Sequence, residues 1–431
     1  KSAWEGGSPH NPDFSVAVPV FFDDELVAFT ASIAHKSDIG GAVPGSCPAN
    51  ARDLFSEGLH IPPVRLYRQG EINSDVVSFI SGNSRSPVVV LGDLMGQAGV
   101  CIQGGRRVEE LFARFGKNSV SGSFQSLRAK SLHLIKEQLL KIPDFRASAV
   151  RLMDHDGINL DKPLAIWVDV KKNGENITFD FSDTDPQGVG PINIRPHLLN
   201  AACAYVMVAI TDPSLPINQG VLDSFQTITK KGTVVDPEFP APVNSYNTAL
   251  HAIIEAIFAT FGQHVPSLAR ADGGGGRALT FAHALEGKTL IQYELFAGGT
   301  GAMLGYDGEV GCHCNQTNGK VGSIEMLETE FPVQVNEFSV RRDSGGEGVQ
   351  RGGCGFRRSY TILDGNATIT LRSSKHDISP QGSNGGKNGA TGFCQINTDT
   401  GPKVLATMES GLVLRSGNTL VIDTPGGGGF G

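Results

Sequence analysis

DFSVAVPVFFDDELVAFTASIAH, residues 13–35, holds two apolar runs rich in β-branched residues, separated by a charged corner. Phe14 to Phe22 and Leu26 to Ala34 each have the length and composition of a strand. Asp23-Asp24-Glu25 between them reads as the turn, so the stretch predicts a β-hairpin. With a three-residue loop Asp13 faces His35, and facing residues on an antiparallel pair hold their Cβ atoms ~5 Å apart. A two-residue loop would shift the pairing by one and turn the faces over. Pro19 pushes the first strand toward an edge or a bulge. Just outside the hairpin stand Gly6-Gly7-Ser8-Pro9-His10 on one side and Lys36-Ser37-Asp38-Ile39-Gly40-Gly41 on the other. Imidazole and carboxylate converging from two strands is what a divalent first-row metal asks for, and His10 is spaced to close on the same ion. The bland alternative is a set of loop histidines and turn aspartates that cap strand ends.

Working outward, 431 residues suffice for two or three domains with well-buried cores. A net charge of −8 argues against a nucleic-acid partner, because phosphate binding needs clustered Lys and Arg, and here they occur as doublets beside acids. The longest apolar run, around Ala201 to Ile210, falls short of the ~20 residues of a membrane span, so no membrane segment is expected. Seven cysteines, an odd number in mostly apolar company, predict reduced thiols in a cytoplasm. The chain opens on Lys1 rather than Met, and upstream sequence is expected.

The expected fold class is α+β, a β-rich multi-layer architecture with Gly-rich turns and a few amphipathic helices. Residues 1–100 read as a strand-rich region carrying the His/Asp cluster, with a second strand pair around Val64 to Tyr67 and Val88 to Leu91. Residues 101–163 read as a helical segment. Its first helix lies near 105–115, where Val108, Leu111, Phe112 and Phe115 share a face and Gly116 ends it. Its second runs from about Phe124 to Lys141. Residues 164–270 read as mixed α/β, with a hairpin around Lys172-Asn173-Gly174, a helix near 197–211 and another from Asn247. Residues 271–431 read as short strands joined by Gly-rich turns.

The 55 glycines cluster at Gly273 to Gly276, Gly298 to Gly301, residues 345–355 and Gly426 to Gly429. Gly426 to Gly431 fits G-x-G-x-x-G literally, yet no helix can follow it, and no phosphate-binding G-x-x-x-x-G-K-[ST] occurs, so these are turn glycines. Cys312-His313-Cys314 is too compact for one ion and lacks a second pair at structural-zinc spacing. No G-x-S-x-G elbow is present. Arg85, in Asn83-Ser84-Arg85-Ser86-Pro87, can clamp a carboxylate or phosphate, or pair with Asp93 across a turn.

These blocks together resemble the B subunit of the hydantoinase/oxoprolinase family, whose members include N-methylhydantoinase, 5-oxoprolinase, caprolactamase and the acetone and acetophenone carboxylases. The similarity rests on ordered motifs along nearly the whole chain: Gly6-Gly7-x-x-His10-x-x-Asp13, His35-x-x-Asp38-x-Gly40-Gly41-x-x-Pro44-Gly45-Ser46, Glu57-Gly58-Leu59-x-Ile61-Pro62-Pro63 and Asn83-x-Arg85-x-Pro87. Gly92-Asp93-x-x-x-Gln97, Thr184-Asp185-Pro186-Gln187, Arg342-Asp343-Ser344-Gly345-Gly346 and the Gly-rich ending continue it. The resemblance implies a division of labour. A partner A subunit with an actin/sugar-kinase-like fold binds and hydrolyses ATP and phosphorylates the substrate carbonyl oxygen. The B subunit holds a divalent metal, Zn or Mn, on His10, Asp13 and His35, with a further acidic ligand upstream of residue 1. Asp38 is then the candidate to fix the His35 tautomer, and Arg85 and Asp93 are candidates for the catalytic surroundings. The expected activity is ATP-dependent hydrolysis of a cyclic amide within a hetero-oligomer. An ATP-dependent ketone carboxylase is the alternative, and a metal-free scaffold that docks the ATPase subunit is the non-enzymatic one. Three departures border the expected pocket or the metal: Lys1-Ser2-Ala3-Trp4, Asn315-Gln316-Thr317-Asn318, and Lys36 after His35.

Overall fold

In a computed structural model, residues 3–5, 7–285 and 287–431 are described; Lys1 and Ser2 of the opening departure and Gly6 of the first motif lie outside them. The fold is α+β. The hairpin forms as Asp13–Phe22 paired with Glu25–His35, and Asp13 is opposite His35. The loop is one residue shorter than the sequence predicts. Asp23 and Asp24 alone make the turn, with φ of 50° and 58°, the left-handed pair that twists a two-residue turn to match its strands. The register is recovered by a bulge: Phe21 pairs with Leu26 but Val20 pairs with Ala28, which leaves Val27 as the extra residue. Turn and bulge offset each other, so the ligand end of the hairpin keeps the pairing expected of a longer loop.

The hairpin has a two-stranded sheet to itself and lies along a 29-residue helix, Pro87–Phe115. That helix corrects two expectations. Val88 to Leu91 is its first turn, not a strand; a short β-branched run is ambiguous, and Pro87 at the first helical position decides it. The short strand pair nearby joins Tyr67–Arg68 to Glu71–Ile72 instead. The helix is also long and apolar enough to cross a membrane by length and composition, contrary to the sequence expectation. Its inner face, including Val90, Leu94, Ala98, Cys101 and Phe112, is buried. Glycines at 104 and 105 let the strands come close, and a Cβ on Gly104 would sit 3.3 Å from Thr30 Cγ2. Gln97 Nε2 donates to Phe14 O at 3.0 Å, and Thr30 Oγ1 donates to Cys101 O at 2.7 Å, tying hairpin to helix. The next helix starts at Lys117 rather than near Phe124.

The middle of the chain forms a four-stranded sheet, Phe145–Met153, Leu164–Asn173, Asn176–Asp180 and Gln226–Ile228. Helices Pro196–Ile210 and Tyr246–Gly262 contribute to the same hydrophobic core. The C-terminal part is a sandwich of two antiparallel sheets. One is ordered Lys288–Ala297, Gly276–Leu285, Asn366–Arg372, Met408–Arg415, and the other is built around Gly355–Ile362 and Thr419–Asp423. Leu279, Phe281, Tyr360, Ile369 and Ile422 fill the space between them.

Candidate metal centre

The ligand end of the hairpin meets the segment before helix Tyr246–Gly262 and two strands of the sandwich. His10 Nε2 lies 3.0 Å from Asp13 Oδ2, and the His10 and His35 rings are 5.1 Å apart between centroids. The sequence did not point to Cys47. Its thiol is buried, its Sγ is 4.0 Å from His35 Nε2, and the donor atoms of His10, His35 and Cys47 all lie within 4.8 Å of one another. This is the one grouping of three or more metal-binding side chains among the described residues. Cys312-His313-Cys314 makes none, as its spacing implies.

Asn244 organises the site. Its Nδ2 donates to Ser46 O at 2.7 Å, while its Oδ1 accepts from Arg372 Nη1 at 2.9 Å, which fixes the amide orientation. The same Oδ1 is 2.7 Å from His10 Nδ1, so that nitrogen carries the hydrogen. His10 Nε2 then faces the Asp13 carboxylate. A neutral ring there would aim a lone pair at an anion, and the contact is favourable only with a proton or a cation between them. Burial acts to raise the Asp13 pKa, but His10 (by charge and hydrogen bond), His35 and Arg372 outweigh it and hold the carboxyl below its usual value. Burial, with the charges of His10 and Arg372 beside it, pushes His35 down to about 3. At neutral pH that ring is uncharged and its lone pair is available. Two imidazoles, an ionised carboxylate and a nearby thiol fit a zinc- or manganese-type dication.

The frame extends further. Glu57 is buried and accepts from the N–H groups of Val243 and Asn244 at 2.8 and 2.7 Å, so the Glu57-Gly58 motif holds the segment that presents Asn244. Burial keeps its carboxyl well above the usual range. Arg372 Nη2 donates to Tyr293 OH at 2.6 Å, and the Tyr293 ring lies against His35 at 5.2 Å. Tyr246 closes on His10 at 5.4 Å.

The other three candidates sit differently. Asp38 is fully buried, and its carboxylate accepts from Gly40 N, Gly45 N, Arg85 N and Arg85 Nη1 at 2.8–3.0 Å. It therefore holds the loop and Arg85 rather than the His35 ring. Arg85 pairs with Asp38 rather than Asp93, and its Nη2 donates to Gly41 O at 2.8 Å. The pair is a clamp on the 38–47 loop. Asp93 is exposed on the long helix, where its charge acts on Lys36. The unexpected Lys36 is buried and donates to Gln97 Oε1 at 2.5 Å, facing the helix rather than the histidines.

A tight crevice of about 10 Å³, room for roughly one water, is lined by His251, Gly273 to Gly276, Gly298-Gly299, Cys312 and Asn315. Gln316 links crevice to centre, bonding both His251 Nε2 (3.2 Å) and Tyr246.

A family model described as hydantoinase B/oxoprolinase matches residues 1–431. The chain belongs to the hydantoinase B/oxoprolinase family. An uncharacterised protein of Methanocaldococcus jannaschii is 33% identical over 98% of this chain and 73% of its own length. The beta chain of a caprolactamase from Pseudomonas jessenii is 28% identical over 98% of this chain and 74% of its own. The crystal structure of ATP-dependent caprolactamase from the same organism superposes with a TM-score of 0.88 at 26% identity, covering 98% of this chain and 75% of that one. An acetone carboxylase structure has the same fold, with a TM-score of 0.85 at 18% identity over 98% of this chain and 63% of that one.

Family membership places the motifs but not the electrostatics around them. Burial first, and then the Lys375 charge, push His251 down to about 4. The unfolded chain, titrating near 6.5, therefore binds this proton over a range where the folded protein does not. His251 contributes stability that is complete above pH 6.5 and lost as pH falls toward 4, about 3 kcal/mol in all. Urea unfolding of wild type and His251→Gln at pH 7 and pH 4.5 checks this, and the variant is expected to show the smaller acid loss.

Proposed function

We propose that this chain is the metal-bearing component of an ATP-dependent cyclic-amide hydrolase, acting on a carbonyl that a partner A-type ATPase subunit phosphorylates. The observation that carries the reading is the convergence of His10, Asp13 and His35 in a chain of the family and fold of ATP-dependent caprolactamase. A lactam carbonyl is a poor electrophile, and phosphorylating its oxygen makes it an activated centre with a good leaving group. A bound dication would supply Lewis acidity and a water whose pKa falls to ~7.

The chain's own residues do the rest. Asn244 keeps the His10 hydrogen on Nδ1, which leaves Nε2, beside the Asp13 carboxylate, as the nitrogen that would hold a dication. Asp13 supplies the negative charge, and Tyr246 and Tyr293 wall the two imidazoles and restrict water. We place the complex in a cytoplasm, since all seven cysteines are free thiols.

The complex of this chain with its ATPase subunit should open a lactam with ATP hydrolysis, and not carboxylate a ketone. The acetone carboxylase fold makes the ketone the informative competitor. Turnover of ketone with bicarbonate, and none of lactam, overturns the hydrolase reading in favour of carbon–carbon bond formation.

A further inference from the structure

We propose that Cys47 is a sulfur ligand of this centre, so that the site takes a soft, zinc-like ion in preference to manganese or magnesium; this rests on the metal-centre reading above. Three observations converge on it. Cys47 Sγ is 4.0 Å from His35 Nε2 and within 4.8 Å of the His10 donor. Zinc–sulfur and zinc–nitrogen bonds of ~2.3 and ~2.0 Å set their two donor atoms only slightly closer than this across a tetrahedral ion.

The thiol is also held there by construction. Gly45 and Ser46 both have positive φ, 82° and 55°, turning the chain so that the next side chain points inward. Ser46 Oγ accepts from Ile39 N and donates to Gly40 O, both at 2.7 Å, and Asp38 Oδ2 accepts from Gly45 N at 2.9 Å. The Asp38–Arg85 clamp therefore fixes the loop that delivers the sulfur. Finally, Asn244 bonds Ser46 O with one end of its amide and His10 with the other. Thiol and imidazole are thus carried on one frame.

Binding forms one sulfur–metal bond, with the thiol proton passing to solvent. A dication then meets two anionic donors, Asp13 and Cys47, in a site that already contains the buried Arg372 guanidinium. A thiolate favours zinc and cobalt over manganese, which prefers oxygen.

The test is to load metal-free full-length protein with Co(II) and to measure Zn(II) and Mn(II) binding by equilibrium dialysis. Wild type is expected to show a sulfur-to-cobalt charge-transfer band in the near ultraviolet, absent in Cys47→Ser and in His35→Ala. Cys47→Ser should keep the cobalt ligand-field bands and lose zinc affinity by about tenfold or more, with manganese binding little changed. Stoichiometric cobalt in wild type without that band overturns the sulfur ligand and leaves the metal centre standing. No stoichiometric metal in wild type overturns both. The wild-type band decides the matter even if the serine variant fails to fold.

Discussion

Replacing His35 with alanine is expected to empty the metal centre and abolish turnover by the assembled complex. His35 is the proposed ligand from the far arm of the hairpin, facing Asp13 across the pair and lying beside both His10 and Cys47. Its loss leaves ligands from one arm only, Asp13 and His10, plus the loop thiol. Groups that only orient a metal ligand typically cost 10–100-fold in affinity when removed, and a ligand itself should exceed the upper end, about 100-fold. Metal analysis of the purified protein is expected to fall from one ion per chain to background. Full occupancy in the variant would remove His35 from the ligand set. The hairpin should survive, because its strands are held to the long helix by bonds at Thr30 and Phe14 that do not use the His35 side chain.

Asn244→Ala is the second large effect, and it touches no ligand position. The change strips the hydrogen-bond acceptor from His10 Nδ1 and the donor from Ser46 O, while Arg372 Nη1 keeps its 2.9 Å bond to the residue 244 carbonyl. The two orphaned polar groups are buried, and each costs ~1–3 kcal/mol, so destabilisation of several kcal/mol is expected. With the Nδ1 hydrogen no longer held, His10 can take the other tautomer and withdraw its lone pair from the site. Metal affinity should then fall about 10–100-fold. Denaturant unfolding and metal titration read the two effects separately. A variant that loses stability but binds metal normally would reject Asn244 as the group that sets the ring.

Much of this was legible in the residues, for reasons that differ from part to part. The hairpin could be read because its two apolar runs are long and its corner is charged. The turn could not, because a left-handed Asp-Asp pair carries no glycine signal and its bulge sits at an ordinary valine. The long helix was misread at its start, where three consecutive valines look like a strand until Pro87 and the packing beneath them decide otherwise. Asn244, Tyr293 and Arg372 could not be found at all. They come from a connecting segment and two strands hundreds of residues away, and no local pattern marks a residue whose importance lies in what folding brings beside it. Cys47 left a faint trace, since Gly45-Ser46-Cys47-Pro48 is a turn that follows the histidine by only twelve positions. Asp38 and Arg85 were conspicuous as charges, yet their bonds to one another and to the loop backbone show a clamp.

The groups around the centre come from positions 10, 13, 35, 47, 244 and 372, and the strand bearing Arg372 is completed only by its neighbour, Met408–Arg415. During synthesis the last of them emerges more than three hundred residues after the first. Contacts so distant along the polypeptide form late and slowly. A metal held there would thus serve as a seal on maturation: it would mark a molecule whose distant segments have already found each other, and an ion that binds only the finished state would hold it there by mass action.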